Sequence, residues 1–245
     1  MGYRYARQRA DHTDLAQGCV LRSAPGYPGF PVRFASELLQ RAAARVEHDG
    51  PVGMWDPCCG SGYLATVLGL LHRERLARVL ASDVDADAVA VAERNLDLLA
   101  EGGLRRRERE LRADAERFGK PALTERAEAA RRLAGRFSRA GGALPAVVRR
   151  QDAFAPDPPD VPVDVVLTDV PYGGLSQWRG LAPAETEPAV SLMAALASVL
   201  PGGAVVGVTA RTRKVPLPAG VSPLERVRVG NRAAVLVRAA DVAGG

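Results

Sequence analysis

The sequence predicts an α/β fold in which a mainly parallel sheet carries helices on both faces and closes with an antiparallel strand. Three observations predict it. Strand-like and helix-like segments alternate along most of the chain, and short valine-rich runs are bounded by turn residues. The tail holds two alternating segments joined at Gly230-Asn231, a pair suited to a tight hairpin. At 245 residues and 47% hydrophobic, the chain has material for one large core.

After a polar N-terminal stretch, G-Y-P-G-F-P (26–31) reads as a turn. Pro31 then opens a helix to about Val46, with Val32, Ala35, Leu38, Leu39 and Ala42 at helical spacing. P-V-G-M-W is a short buried strand ending at Asp56. From Gly62, residues Leu64, Val67, Leu68 and Leu71 mark a helix packed on that strand. R-V-L-A-S-D (78–83) is a second strand, and Val89, Ala92, Leu96 and Leu99 give the next helix its apolar face. The third strand is delayed to A-V-V-R (146–149). The intervening R-R-R-E-R-E-L-R (105–112) and residues 122–139 are charged and helix-forming, so a helical insertion on the rim is expected. V-D-V-V-L-T-D (163–169) is a fourth strand, residues 189–200 a helix ended by P-G-G, and A-V-V-G-V-T (204–209) a fifth strand.

Bulk properties narrow the function. The N-terminus carries charges where a secretory signal needs an apolar run, and nowhere do eighteen apolar residues run together, so a soluble cytoplasmic protein is expected. Three cysteines (Cys19, Cys58, Cys59) and three histidines (His12, His48, His72) form no disulfide framework and no metal-ligand spacing, so no metal is expected. The net charge of +5 suits an acidic partner such as nucleic acid. Arginine far outnumbers lysine beside abundant alanine, a G+C-rich coding signature that weakens that argument.

The chemistry concentrates in two motifs. G-S-G-Y-L-A (60–65) fits the G-x-G-x-x-[GA] nucleotide-binding turn between a strand and a helix, where Gly60 and Gly62 let the backbone approach a ligand. Asp83, ending the second strand, is placed to accept both hydroxyls of a ribose. Asp56, four residues before Gly60, completes D-x-x-x-G-x-G, which resembles motif I of class I S-adenosylmethionine (SAM)-dependent methyltransferases. SAM has no pyrophosphate, and Asp56 would hold its amino-acid part directly or through water. Cys58 and Cys59 are then small packing residues of the turn, with Cys58 a candidate for the pocket lining. The antiparallel last strand agrees with this superfamily, whose sheet has seven strands, and not with an all-parallel dinucleotide-binding sheet.

The second motif is T-D-V-P-Y-G-G (168–174), which resembles the [DNS]-x-P-[YFW] signature of methyltransferases that act on planar nitrogens. Asp169 and the carbonyl of the next residue would accept base hydrogens, Pro171 would stiffen that carbonyl, and Tyr172 would offer a stacking face. Asp152, past the third strand, is a candidate partner of the adenine amino group or a helix cap. Trp178 is a candidate for stacking on RNA or for packing. Arg211, Arg213 and Lys214 leave the fifth strand on the same rim and suit phosphates. Arg105, Arg106, Arg107, Arg109 and Arg112 on the insertion either grip RNA or form a solvated helix face.

Beyond these motifs, S-A-P-G-Y-P-G-F-P-V-R (23–33), M-W-D-P-C-C-G-S-G-Y-L (54–64), A-S-D-V-D (81–85), E-R-F-G-K-P (116–121) and V-V-L-T-D-V-P-Y-G (165–173) resemble the AviRa family of avilamycin-resistance methyltransferases. The likeness spans nearly the whole chain, insertion included. It implies N-methylation of a guanine in large-subunit ribosomal RNA and resistance to orthosomycin antibiotics. The chain itself is expected to be one SAM-dependent domain, with residues 1–30 and about 101–144 as RNA-binding additions and no obligate protein partner evident. Two other classes compete. An NAD-dependent oxidoreductase would share the glycine turn and Asp83 but would not explain D-V-P-Y or the closing hairpin. A non-catalytic RNA-binding protein would not need both signature motifs. Read from the motifs alone, a protein amide or a small molecule also remains a substrate class for such an N-methyltransferase.

Overall fold

A computed structural model of the protein describes residues 2–23, 25–170 and 187–244. Seven strands form one sheet: β1 (Val52–Asp56), β2 (Leu76–Asp83), β3 (Ala146–Arg150), β4 (Val165–Asp169), β5 (Val205–Ala210), β6 (Glu225–Val229) and β7 (Arg232–Arg238). Their order is β3-β2-β1-β4-β5-β7-β6. The first five pair in parallel, and β7 runs antiparallel between β5 and β6. The sequence-based reading of the strands therefore holds, with β2 beginning two residues earlier than R-V-L-A-S-D.

The strands are apolar on both faces because both faces are covered. Met54, Val79, Ala81, Val165, Leu167 and Leu236 point into one core with α1 (Val32–Ala43), α2 (Tyr63–Leu71) and α3 (Ala86–Leu96). The alternate residues Trp55, Leu80, Val166, Val206 and Val235 point into a second core with α6 (Pro188–Ala197) and α7 (Ala239–Ala243). Trp55 is fully buried, and its indole N–H donates to Ser82 Oγ at 3.0 Å. The strand period of two thus builds two cores from one sheet.

The insertion is a helical hairpin, α4 (Gly103–Phe118) and α5 (Pro121–Arg139), turned at Gly119. Leu104, Leu111, Ala127, Ala130, Leu133 and Phe137 are buried in the first core, so the hairpin is packed onto the helical layer and does not stand free of it. Pro31 sits at the N-cap position of α1, one residue outside the expected start, and the helix ends at Ala43 before the expected Val46.

The N-terminal residues are also built into the fold. Leu15, Val20, Leu21 and Phe30 belong to the first core. Glu37 on α1, itself buried, accepts the backbone N–H groups of Arg4, Tyr5 and Ala6 at 2.5–2.8 Å. Burial pushes its pKa up toward the neutral form, but those amides and Arg41 outweigh it and hold the carboxyl below its usual range. Arg41 in turn pairs with Glu225 on β6, so one buried ion cluster ties the N-terminal segment, α1 and the far edge of the sheet.

Gly62 leads into α2 with φ 71°, and a Cβ there would lie 2.8 Å from Cδ1 of Leu96 and 3.0 Å from Cα of Ala92. Gly62→Ala combines a left-handed backbone with a collision against α3. It is expected to destabilise the protein by about 2–4 kcal/mol in urea unfolding; an unchanged midpoint would contradict this packing.

Candidate active site

The strand order reverses between β1 and β4, and the crevice outside the carboxyl ends of the strands at that reversal is where open α/β sheets bind ligands. Asp56 ends β1, Asp83 ends β2, Asp169 ends β4, and Asp152 follows β3 by two residues. The alternation of strands and helices therefore delivers four separate carboxylates to one edge.

Asp56 is 1% exposed, and its Oδ1 has no hydrogen-bond partner among the described residues. Burial first of all, opposed in part by the Thr168 hydroxyl and the Cys58 N–H and reinforced by the charges of Asp83 and Asp169, pushes its pKa up to about 8. The Thr168 hydroxyl is itself buried and, among the described residues, has no partner at hydrogen-bonding geometry. An unpaired oxygen in so dry a place costs free energy unless a ligand supplies a donor.

Asp83 is better satisfied. Its Oδ2 accepts the Gly60 N–H at 2.8 Å and its Oδ1 the Asp85 N–H at 3.0 Å, so it pins the glycine turn against β2. Each oxygen keeps a further lone pair. Burial raises its pKa although these amides pull the other way. The Cys59 N–H donates to Ser82 O at 2.9 Å, closing the same turn. Cys58 and Cys59 are free thiols pushed up by burial, and Cys58 is half-buried beside the carboxylates. Among the described residues no group of side chains has the makings of a metal site.

Gly60, at φ 52°, makes room for a residue the sequence did not single out. A Cβ there would lie 2.9 Å from Cδ1 of Tyr27, whose hydroxyl donates to Asp85 Oδ2 at 2.6 Å. The G-Y-P-G-F-P segment thus lies across the glycine turn. The Asp152 carboxylate accepts the Phe154 N–H at 2.9 Å, the local capping geometry weighed against an adenine contact.

Asp169 carries the second residue missed from sequence. Its Oδ1 accepts from Nη1 of Arg232 at 2.6 Å. Arg232 opens β7, and because β7 is antiparallel its first residue reaches the carboxyl edge of β4 and β5. Its side chain is 5% exposed, and the guanidinium carbon lies 4.7 Å from the centroid of Phe30, which stacks on Phe34. Burial raises the pKa of Asp169, while Arg232 and the charge of Arg211 lower it. The signal for Arg232 was the hairpin itself: the residue after a Gly-Asn turn on an antiparallel last strand must return to the functional edge. Pro171, Tyr172 and Trp178 lie outside the described residues.

The basic residues separate into two groups. Arg106 is bound to Asp97 and to the Glu101 carbonyl, Arg107 to Glu110 and the Val20 carbonyl, and Arg112 to Glu108 and Glu128. Arg105 and Arg109 are exposed on α4 and make no ion pair among the described residues, as do Arg211, Arg213 and Lys214 after β5. At the hairpin tip Phe118 is 54% exposed, with Arg117 and Lys120 at 5.1 and 6.0 Å from its ring centroid.

Comparison with known proteins places this arrangement. The family described as rRNA methyltransferase AviRa matches residues 1–232. The 23S rRNA (guanine(2535)-N(1))-methyltransferase of Streptomyces viridochromogenes is 55% identical over 98% of this chain and 97% of its own length. Two solved structures of the rRNA methyltransferase aviRa from that organism, at 1.5 and 2.4 Å, superpose with a TM-score of 0.89 each. They share 54% and 55% identity and are covered over 98% of their length by 99% of this chain.

Asp56→Asn removes the buried titrating group at constant size. Because its folded pKa is raised, wild-type Asp56 opposes folding only above about pH 4, increasingly so up to about pH 8. The variant is expected to gain Tm relative to wild type across that window and to match it near pH 4. A difference independent of pH would show that the folded protein does not hold Asp56 neutral.

Proposed function

The chain belongs to the AviRa family of rRNA methyltransferases, and from that premise we propose that it methylates N1 of a guanine in 23S ribosomal RNA with SAM as methyl donor. The 55% identity to the Streptomyces enzyme over nearly the full chain carries the substrate. Protection of the ribosome against an orthosomycin antibiotic such as avilamycin would follow from that modification. No helix among the described residues is long and apolar enough to cross a membrane, which accords with a substrate in the cytoplasm.

The residues present fit SAM. The orphaned Oδ1 of Asp56 lacks the donor that the cofactor's ammonium group would supply, and the Asp83 oxygens have lone pairs left for ribose hydroxyls. Gly60, Gly62 and Cys58 shape the turn between them, Tyr27 walls it, and Asp152, two residues past β3, would face the adenine. When bound, the cofactor supplies a methyl group on a positively charged sulfur.

Guanine N1 carries a proton and is a poor nucleophile until that proton is accepted. Asp169 is the base in this reading: Arg232 holds one of its oxygens and opposes the effect of burial, leaving the other oxygen for the N1–H. Pro171 and Tyr172 would orient and stack the base. Incubating the protein with labelled SAM and 23S rRNA, then mapping the product by primer extension and nucleoside mass spectrometry, is expected to give 1-methylguanosine at one position. Asp169→Asn is expected to bind SAM normally and to transfer methyl slower by a factor on the order of 10² or more. Methylation at another nitrogen, or a fully active variant, would defeat this assignment.

Phosphates would be gripped by the cations that make no ion pair among the described residues: Arg211, Arg213 and Lys214 beside the crevice, and Arg105 and Arg109 on the hairpin. Arg107 and Arg112 act first on acidic residues of the hairpin itself, and Arg106 on Asp97 just before it. Replacing Arg105 and Arg109 by Gln should lower RNA affinity and shrink the salt slope by about 0.7–0.9 per lost phosphate contact. Arg112→Gln should leave the slope unchanged. Equal slopes for both variants would reassign the helix to a solvated face.

A further inference from the structure

Arg232 is charged, nearly sealed from solvent, and underused. A guanidinium has donors on all three nitrogens, yet only Nη1 of Arg232 has an acceptor among the described residues, the Asp169 Oδ1. Of the other Arg residues of the β6–β7 hairpin, Arg226 and Arg228 stand on β6 at the outer edge of the sheet and Arg238 ends β7 at the opposite end from Arg232. Arg232 instead follows the Gly230 turn back to the edge where Asp56, Asp83 and Asp169 end their strands, and Phe30 covers its flat face. Burying most of a guanidinium is costly, and among the described residues one carboxylate oxygen is its only acceptor. Such a group is built to receive a second acceptor.

We propose that Arg232 is a specificity-determining residue that receives O6 of the target guanine. The inference rests on the reading of the site as a guanine-N1 methyltransferase. On the pairing edge of guanine, the N1–H donor lies beside the O6 acceptor. A carboxylate joined side by side to a guanidinium presents the matching pair: Asp169 accepts from N1, and Arg232 donates to O6. Adenine offers the reverse pattern, with an acceptor at N1 and an amine at the neighbouring position, so it would set lone pair against carboxylate and amine against guanidinium.

The pairing also serves the reaction. The N1 proton passes to Asp169, the electron pair freed on N1 spreads onto O6, and Arg232 stabilises the charge that develops there. That pair then forms the bond to the methyl carbon, and the pair of the broken carbon–sulfur bond stays on sulfur. The product is neutral 1-methylguanine, with the proton left on Asp169.

A cycle between the residue and the base atom tests this. Single-turnover methylation is measured for wild type, Arg232→Met and Arg232→Lys on RNA carrying guanosine or 6-thioguanosine at the target position, the sulfur being a poor hydrogen-bond acceptor. Wild type is expected to react slower with the thio base. Arg232→Met is expected to lose a factor of about 10²–10³ on guanosine, to bind SAM as wild type does, and to distinguish the two bases no longer. Arg232→Lys keeps the pair with Asp169 and the fold, and is expected to show the same loss of discrimination if the methionine variant does not fold. A variant that retains the wild-type ratio between the two bases, or full activity on guanosine, would overturn the assignment. No methylation of guanosine by wild type would overturn the underlying reading with it.

Discussion

Repulsion among carboxylates is the constraint around which this molecule is arranged. Parallel strands end together, and three of them end in aspartate at one dry edge, where Asp56 feels both Asp83 and Asp169. Each is accommodated differently. Asp83 is met by amides of the glycine turn and of its own turn, Asp169 by a guanidinium, and Asp56 keeps one oxygen, Oδ1, without a partner among the described residues. The gradient from satisfied to unsatisfied runs toward the switch point between β1 and β4, and a cationic ligand there would complete the balance.

The peripheral features serve that edge. An antiparallel β7 is the topological means of bringing a residue early in the hairpin's second arm to the same rim as the ends of β4 and β5. The N-terminal segment places Tyr27 over Gly60 and Phe30 over Arg232, so residues far from both motifs in sequence form walls of the crevice. The ion cluster of Glu37, Arg41 and Glu225 fastens that segment to the opposite edge of the sheet.

Much of this was legible in the sequence because the signals were local. The strand and helix periods, the D-x-x-x-G-x-G turn, Asp83 at the end of its strand and the Gly-Asn hairpin all follow from residue type and short spacing. Arg232 and Tyr27 were not, because their importance depends on register and on contacts across most of the chain. The charge run on α4 lay between these cases. Glu110 and Glu108 stand at helical spacing from Arg107 and Arg112, a local signal, but the partners of Arg106 and Arg112 on Asp97 and Glu128 needed the tertiary fold. Arg105 and Arg109 stand apart only once those pairs are known.

The helical hairpin between β2 and β3 has a consequence for how the chain assembles. Without internal structure, so long a connection would make pairing of β3 with β2 a distant loop closure with a high entropic barrier. Helices α4 and α5 face each other along most of their length, and contacts of that kind form early and locally. Once they have formed, the anchored turns at Leu99 and Leu144, joined by a backbone hydrogen bond of 2.9 Å, bring the ends of the insertion together. The edge strand then docks over a short effective distance. The insertion thereby behaves as a preassembled clasp whose loosening would slow folding while leaving the geometry of the carboxylate edge as it is.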